Sequence, residues 1–195
     1  PTGTAVTHTD LSLFLSEIPA SIPVILDEAY IDFVEMDDAV DSSAFLREHE
    51  NLIVLRTFSK AYGLAGVRAG YAFGLPESIA GSRGREIPFA VSAAAECAVP
   101  VALAAQRELT SRIEAMRAER DRLIGALSAL GGTVLPSHAN FVYLPGDDGI
   151  AIGRLLRSIG IIGKECPTHG FRLTIADTRT TDYLVDALRL TAQTA

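Results

Sequence analysis

The chain has 195 residues, 48% of them apolar and 21% charged, with a formal net charge of −7, which is ample for a hydrophobic core and for one large domain or one and a half. It carries no basic run, which argues against nucleic acid or an anionic membrane surface as partner, and no apolar run approaches the about 20 residues of a membrane span. The cysteines Cys97 and Cys166 form no C-x-x-C pair, and His8, His49, His138 and His169 lack ligand spacing, so no metal and no disulfide framework is assigned and a cytoplasmic enzyme is the expectation.

In chain order, Thr9-Asp10 can cap a short helix over Leu11 to Ile18, with Leu11, Leu15 and Ile18 on one face. Val24-Ile25-Leu26 reads as a buried strand that ends at once in Asp27-Glu28-Ala29-Tyr30. An acid at the carboxyl end of a parallel strand sits where open α/β sheets bind ligands, although Asp27 could equally cap the turn that follows. A helix from Ser42 to His49, capped by Ser42 or Ser43, leads to a second buried strand, Leu52-Ile53-Val54-Leu55. A polar turn, Arg56-Thr57-Phe58-Ser59, then Lys60, a small-residue segment and Arg68 precede a third strand-like run, Ala69 to Phe73. Hydroxyls just before one cation, glycines after it and a guanidinium further on suit a bound phosphate. On spacing alone a surface lysine is the plainer explanation, since neither G-x-G-x-x-G nor G-x-x-x-x-G-K-[ST] occurs.

Gly81 to Arg85 reads as a polar loop with solvated arginines, and Ser92 to Leu130 as two helices with a break or kink at Pro100. In the second helix Leu109, Ile113, Met116, Leu123, Leu127 and Leu130 form the expected buried stripe, Arg120 and its charged neighbours the solvated face, and Gly131-Gly132 the stop. The remainder reads as a compact α+β unit: strands at Thr133–Leu135, Phe141–Leu144, Ile161-Ile162 and Phe171–Ile175, a turn at Pro145–Gly149, a helix over Ile150–Ile159, and a last helix opened by Thr180 or Thr181. Arg172 interrupts an apolar strand, so it needs an ionic partner, most simply an internal carboxylate.

The string Thr57-Phe58-Ser59-Lys60-Ala61-Tyr62-Gly63-Leu64-Ala65-Gly66-Val67-Arg68-Ala69-Gly70-Tyr71 resembles the cofactor-lysine segment of fold type I, pyridoxal-phosphate-dependent aminotransferases. The likeness is to the branch of histidinol-phosphate and aromatic (phenylalanine) aminotransferases. It implies that Lys60 bonds the cofactor and acts as catalytic base, that Thr57, Ser59 and Arg68 hold its phosphate, that Asp27 keeps its ring nitrogen protonated, and that Tyr30 donates to its phenolic oxygen. Ile87-Pro88-Phe89-Ala90-Val91-Ser92 is similar to the family's Pro-Phe-x-Val-Ser segment, and Phe171-Arg172-Leu173-Thr174-Ile175 to its Leu-Arg-Ile-Thr segment, which would make Arg172 the anchor of the substrate carboxylate. Where histidinol-phosphate members carry Val-Ile-Val-Arg, this chain has Ile161-Ile162-Gly163-Lys164; Lys164 could meet a substrate phosphate, but only as a point charge.

Pro1-Thr2-Gly3-Thr4 resembles the family's Asn-Pro-Thr-Gly motif inside the large domain. The resemblance therefore implies the C-terminal portion of a longer enzyme, without the N-terminal arm, the glycine-rich phosphate loop and the ring-stacking aromatic residue. The expected architecture is α/β: residues 1–100 as the second half of a large domain with a mostly parallel sheet, 101–130 as a connecting helix, and 131–195 as a small C-terminal α+β domain. The expected function is pyridoxal-phosphate-dependent amino transfer between a phenylalanine-like amino acid and 2-oxoglutarate, by a homodimer. A histidinol-phosphate aminotransferase, another pyridoxal enzyme such as a decarboxylase, and an inactive fragment remain alternatives.

Overall fold

Val24–Asp27 (β1) and Leu52–Thr57 (β2) pair in parallel, with Val24 level with Leu52 and Asp27 with Leu55. Everything around the candidate site hangs from this pair in the computed structural model, which describes residues 2–166 and 170–192, without the side chains of residues 82, 83, 191 and 192. Pro1 and His169 lie outside the described residues. The chain divides into two compact units, Val6–Leu109 and Pro1–Ala5 with Thr110–Ala195.

In the first unit, α1 (His8–Glu17) starts earlier than its apolar spacing implies, because the Thr7 hydroxyl accepts from Asp10 N at 3.0 Å. Likewise α2 (Ser42–Glu48) is capped by Asp41 rather than by a serine: its carboxylate accepts from Ser43 N at 3.0 Å and Ala44 N at 3.2 Å. Leu11, Leu15, Phe45, Leu52 and Val54 form the buried core between these helices and the sheet. The third strand, β3 (Gly70–Gly74), pairs antiparallel to β2, so the described sheet has one parallel and one antiparallel junction. A parallel return needs a crossover of a dozen or more residues, usually helical. The 28–51 connection has one in α2, whereas the 58–69 loop holds only a single 3-10 turn, Ala65–Val67. The polar loop expected at residues 81–85 is instead entered by a helix, α3 (Pro76–Arg83). Pro100 does not end its helix: α4 (Ala93–Ala104), capped by Ser92, runs through it and breaks at Ala105.

The long helix α5 (Gln106–Ala129) ends in a Schellman motif, with Gly131 at φ +80° and Gly132 N donating to Leu127 O at 3.0 Å. Leu123 and Leu127 are buried as expected. Arg120 is not on a solvated face: it is 4% exposed, with Nε donating to Asp121 Oδ1 at 3.0 Å. In the second unit β4 (Phe141–Pro145), β6 (Gly170–Thr174) and β5 (Lys164–Cys166) form an antiparallel sheet in that order. Residues 133–135 are not a strand; before Pro136 they make one ladder-like bond, Leu135 N to Tyr143 O at 3.3 Å. The Pro145–Gly149 turn is absorbed into α6 (Gly146–Ser158), whose first turn holds Asp147 and Asp148, where the helix dipole favours acids. Ile161-Ile162 is not a strand either. Gly160 at φ +87° closes α6, and Ile161 N is used to cap it, donating to Leu156 O at 2.9 Å.

Phe171 fills the space that Gly153 on α6 leaves open, and a Cβ at that position would collide with its ring. Gly153→Ala is therefore expected to destabilise the protein by about 1–3 kcal/mol, read as a lower midpoint in denaturant or thermal unfolding.

The last helix, α7 (Thr178–Ala192), is opened by Asp177, ahead of the Thr180 or Thr181 that the sequence favours as its start. The Asp177 carboxylate accepts from the Thr180 hydroxyl at 2.6 Å and its backbone N at 2.9 Å, and these two bonds, in that order, hold its carboxyl below the usual range. A carboxyl depressed in the folded state contributes stability above its unfolded value, about pH 4, and loses it as pH falls through the folded value. The difference in melting temperature between wild type and Asp177→Ala should accordingly be largest near neutrality and narrow from about pH 4 downward.

Candidate active site

The carboxyl ends of β1 and β2 lie side by side, and the residues singled out in the first unit cluster there. Thr57 is the last residue of β2; its hydroxyl accepts from Ser59 N at 3.0 Å and donates to Ala69 O at 3.4 Å, turning the chain away from the strand. Lys60 follows, half-buried, with Nζ 5.1 Å from the centroid of the Tyr30 ring. These two residues, far apart in sequence, meet because the parallel pairing places the loop after β1 beside the loop after β2. Phe58 and Ala61 are buried and anchor the Lys60 loop from beneath, with Phe58 packed between the rings of Tyr62 and Tyr71.

Arg68 closes the cluster. It is exposed and left-handed, at φ 61° and ψ 47°, a conformation a non-glycine residue holds only when its surroundings impose it. Its Nη1 donates to Ala65 O at 2.6 Å and lies 3.5 Å from Ser59 Oγ. The next glycine, Gly70, lies against β2, where a Cβ would come within 2.9 Å of Arg56 O. Two hydroxyls and a guanidinium thus converge on one turn, a donor set suited to a phosphate.

Asp27 ends β1 with an exposed carboxylate whose Oδ1 accepts from Ala29 N at 3.0 Å. It therefore does make the turn bond that the sequence allowed, and its other oxygen has no bond within the described residues. Glu28 is buried and bound: Oε2 accepts from Arg56 Nε at 2.8 Å and from Ser42 Oγ at 3.3 Å. Burial works against the Arg56 charge, but the Glu28 carboxylate outweighs it and its pKa is raised. Arg56 belongs to β2 rather than to the expected polar turn, and as a charge it prolongs the core-facing row of that strand.

Arg172 and Lys164 belong to the second unit, on adjacent strands and directly opposite in register. Among the described residues, the internal carboxylate expected for Arg172 is not there. Its guanidinium instead lies 4.5 Å from the Phe141 ring centroid, and its buried Nε has no hydrogen-bond partner among the described residues. Like charges facing each other on one sheet face are unfavourable. Among the described residues no His, Cys, Asp and Glu group could hold a metal, and no helix is long and apolar enough to cross a membrane.

The sequence profile described as aminotransferase class I and II matches residues 1–188. The chain belongs to the class I and II aminotransferase family. Aromatic amino acid aminotransferases of Corynebacterium glutamicum and Rhodococcus erythropolis are 40% and 44% identical to it, over 96% and 93% of this chain and 53% and 51% of theirs. Histidinol-phosphate aminotransferase from Sinorhizobium meliloti, solved in complex with pyridoxal-5'-phosphate, superimposes with a TM-score of 0.85 at 28% identity, covering 100% of this chain and 55% of that one. This aminotransferase-family chain thus spans about half the length of the curated relatives it matches, and its α/β fold is that of the pyridoxal-phosphate-dependent members.

Proposed function

We propose that the full-length protein is a pyridoxal-phosphate-dependent aminotransferase that moves an amino group between an aromatic, phenylalanine-like amino acid and 2-oxoglutarate. The observation that carries this reading is the placement of Lys60 Nζ 5.1 Å from the Tyr30 ring at the shared carboxyl end of β1 and β2, beside the Thr57, Ser59 and Arg68 donors. The donor set fits the cofactor: hydroxyls and a guanidinium for its phosphate, an available carboxylate oxygen for its ring nitrogen, and an amine for its aldehyde carbon. The aromatic preference follows the relatives named aromatic amino acid aminotransferases.

When bound, the protonated pyridine ring withdraws electrons from the substrate Cα and makes its proton labile. Asp27 would hold the ring nitrogen with its carboxylate and so favour the protonated form, and Tyr30 would donate its hydroxyl proton to the phenolic oxygen. Thr57, Ser59 and Arg68 bind the phosphate. Lys60 Nζ would take the proton from the substrate Cα, acting as general base and acid. Arg172 would bind the substrate carboxylate and so orient the Cα–H bond.

A second reading, a histidinol-phosphate aminotransferase, is favoured by Lys164 opposite Arg172, which supplies a further cation for a substrate phosphate. A panel of phenylalanine, tyrosine and histidinol phosphate, each with 2-oxoglutarate, separates the two. Phenylalanine is expected to give the highest kcat/KM; a preference for histidinol phosphate would transfer the assignment to the second reading. We also propose a cytoplasmic homodimer, by analogy with the family, to be checked by sedimentation of the full-length protein.

A further inference from the structure

A charged pair of a buried Glu28 and a half-buried Arg56 lies directly behind the site, and the roles above leave it unused. Side chains alternate between the two faces of a strand. On β1, Val24 and Leu26 pack on the core while Ile25 and Asp27 are exposed, and Glu28 prolongs the core-facing row. On β2, Leu52 and Val54 are buried in that core and Arg56 prolongs their row, which puts Thr57 on the other face. The pair Glu28–Arg56 is therefore the last rung of the core side, one residue from Asp27 on one strand and one from Thr57 on the other. Four elements meet in it. Glu28 Oε2 binds Arg56 Nε at 2.8 Å and Ser42 Oγ, from the start of α2, at 3.3 Å. The Arg56 guanidinium lies 5.1 Å from the Phe73 ring of β3, and Glu28 N donates to Leu55 O at 2.9 Å, carrying the strand pairing past Asp27.

We propose that Glu28 and Arg56 are positioning residues: their pair sets the distance and angle between the ends of β1 and β2, so that Asp27 and the Thr57–Ser59–Arg68 cluster present one geometry to the cofactor. The inference rests on the reading that this site takes pyridoxal phosphate. Stability is a poor reason for such a pair, because an apolar pair of similar volume is often as stabilising or more so. Direction is what an apolar pair lacks. A charged N–H···O bond fixes both how close two strand ends lie and how they are turned. Glu28 Oε1 is buried without a hydrogen-bond partner among the described residues, so removing Arg56 alone would strand a charge, and the informative change is made on both sides at once.

The test uses full-length protein carrying Glu28→Met together with Arg56→Met. The apo double variant is expected to melt within about 5 °C of wild type or above it. Its dissociation constant for pyridoxal phosphate, by equilibrium dialysis, is expected to rise about tenfold or more, the range seen when supporting residues behind a bound group are lost. The pH midpoint of the bound cofactor's visible band is expected to move as well, because Asp27 no longer meets the ring nitrogen as before. An unchanged dissociation constant and an unchanged midpoint in the folded variant overturn the proposal. Should the double variant not fold, Arg56→Lys keeps the charge and loses the Nε–H; an increase of about threefold or more supports the proposal and no increase overturns it. Wild type that binds no pyridoxal phosphate overturns the cofactor reading and this inference together, whereas wild type that binds it and a variant that binds equally overturn this inference alone.

Discussion

Lys60→Ala in the full-length protein is expected to lower amino transfer by roughly 10³-fold or more, since a positioned general acid–base group contributes about 10²–10⁴-fold and the same amine also anchors the cofactor. The cofactor's lysine-dependent visible absorbance should disappear. Stability should change little: among the described residues the Lys60 side chain has the Tyr30 ring at 5.1 Å, and a cation–π contact of this kind is worth about 0.5–2 kcal/mol. Lys60→Arg separates charge from proton transfer. Arginine can still sit over the ring, but it cannot give up a proton near neutral pH. If Lys60→Arg retained turnover within about tenfold of wild type, Lys60 would be a structural cation and the proposed chemistry would be wrong.

Arg172→Met is the second large effect, and it should divide function from stability. In a fold where the arginine balanced an internal carboxylate, its removal would leave a buried unpaired charge and cost about 3–5 kcal/mol of stability. Here no such carboxylate faces it among the described residues; it has the Phe141 ring at 4.5 Å and a buried, unsatisfied Nε. Losing the ring contact costs about 0.5–2 kcal/mol, and relieving the unsatisfied donor and the repulsion from Lys164 returns a similar amount. The melting temperature should stay close to wild type. Truncating one side of a charge pair formed with substrate costs about 2–4 kcal/mol, so kcat/KM for the amino donor should fall roughly 30- to 1,000-fold, mostly through KM. A marked loss of stability with unchanged KM would return Arg172 to a purely structural role.

The part of the site that could be read along the chain is the part that is local. Thr57, Ser59, Lys60 and Arg68 lie within one short stretch of chain, and the hydroxyls and guanidinium are held by bonds local to it, such as Ser59 N to Thr57 Oγ1 and Arg68 Nη1 to Ala65 O. Helix boundaries were less legible because caps compete with periodicity: Thr7, Asp41 and Asp177 start helices ahead of the residues that apolar spacing favours. Gly160 likewise turns Ile161 into a helix cap instead of a strand residue. Arg120 shows the same limit in a helix, since its charged neighbours mark a solvated face while packing covers its side chain.

By itself the sequence determined the α/β alternation, the Lys60 loop and the apolar rows of β1 and β2, because each depends on neighbours close in the chain. Only the tertiary structure decided that Lys60 meets Tyr30, that Glu28 is held by Arg56, and that Arg172 faces Phe141 rather than a carboxylate. Each of these contacts joins residues from different strands or the loops that follow them, through strand register and side-chain alternation. Composition and spacing do not carry that information: a shift of one residue in register would turn every one of those side chains to the opposite face.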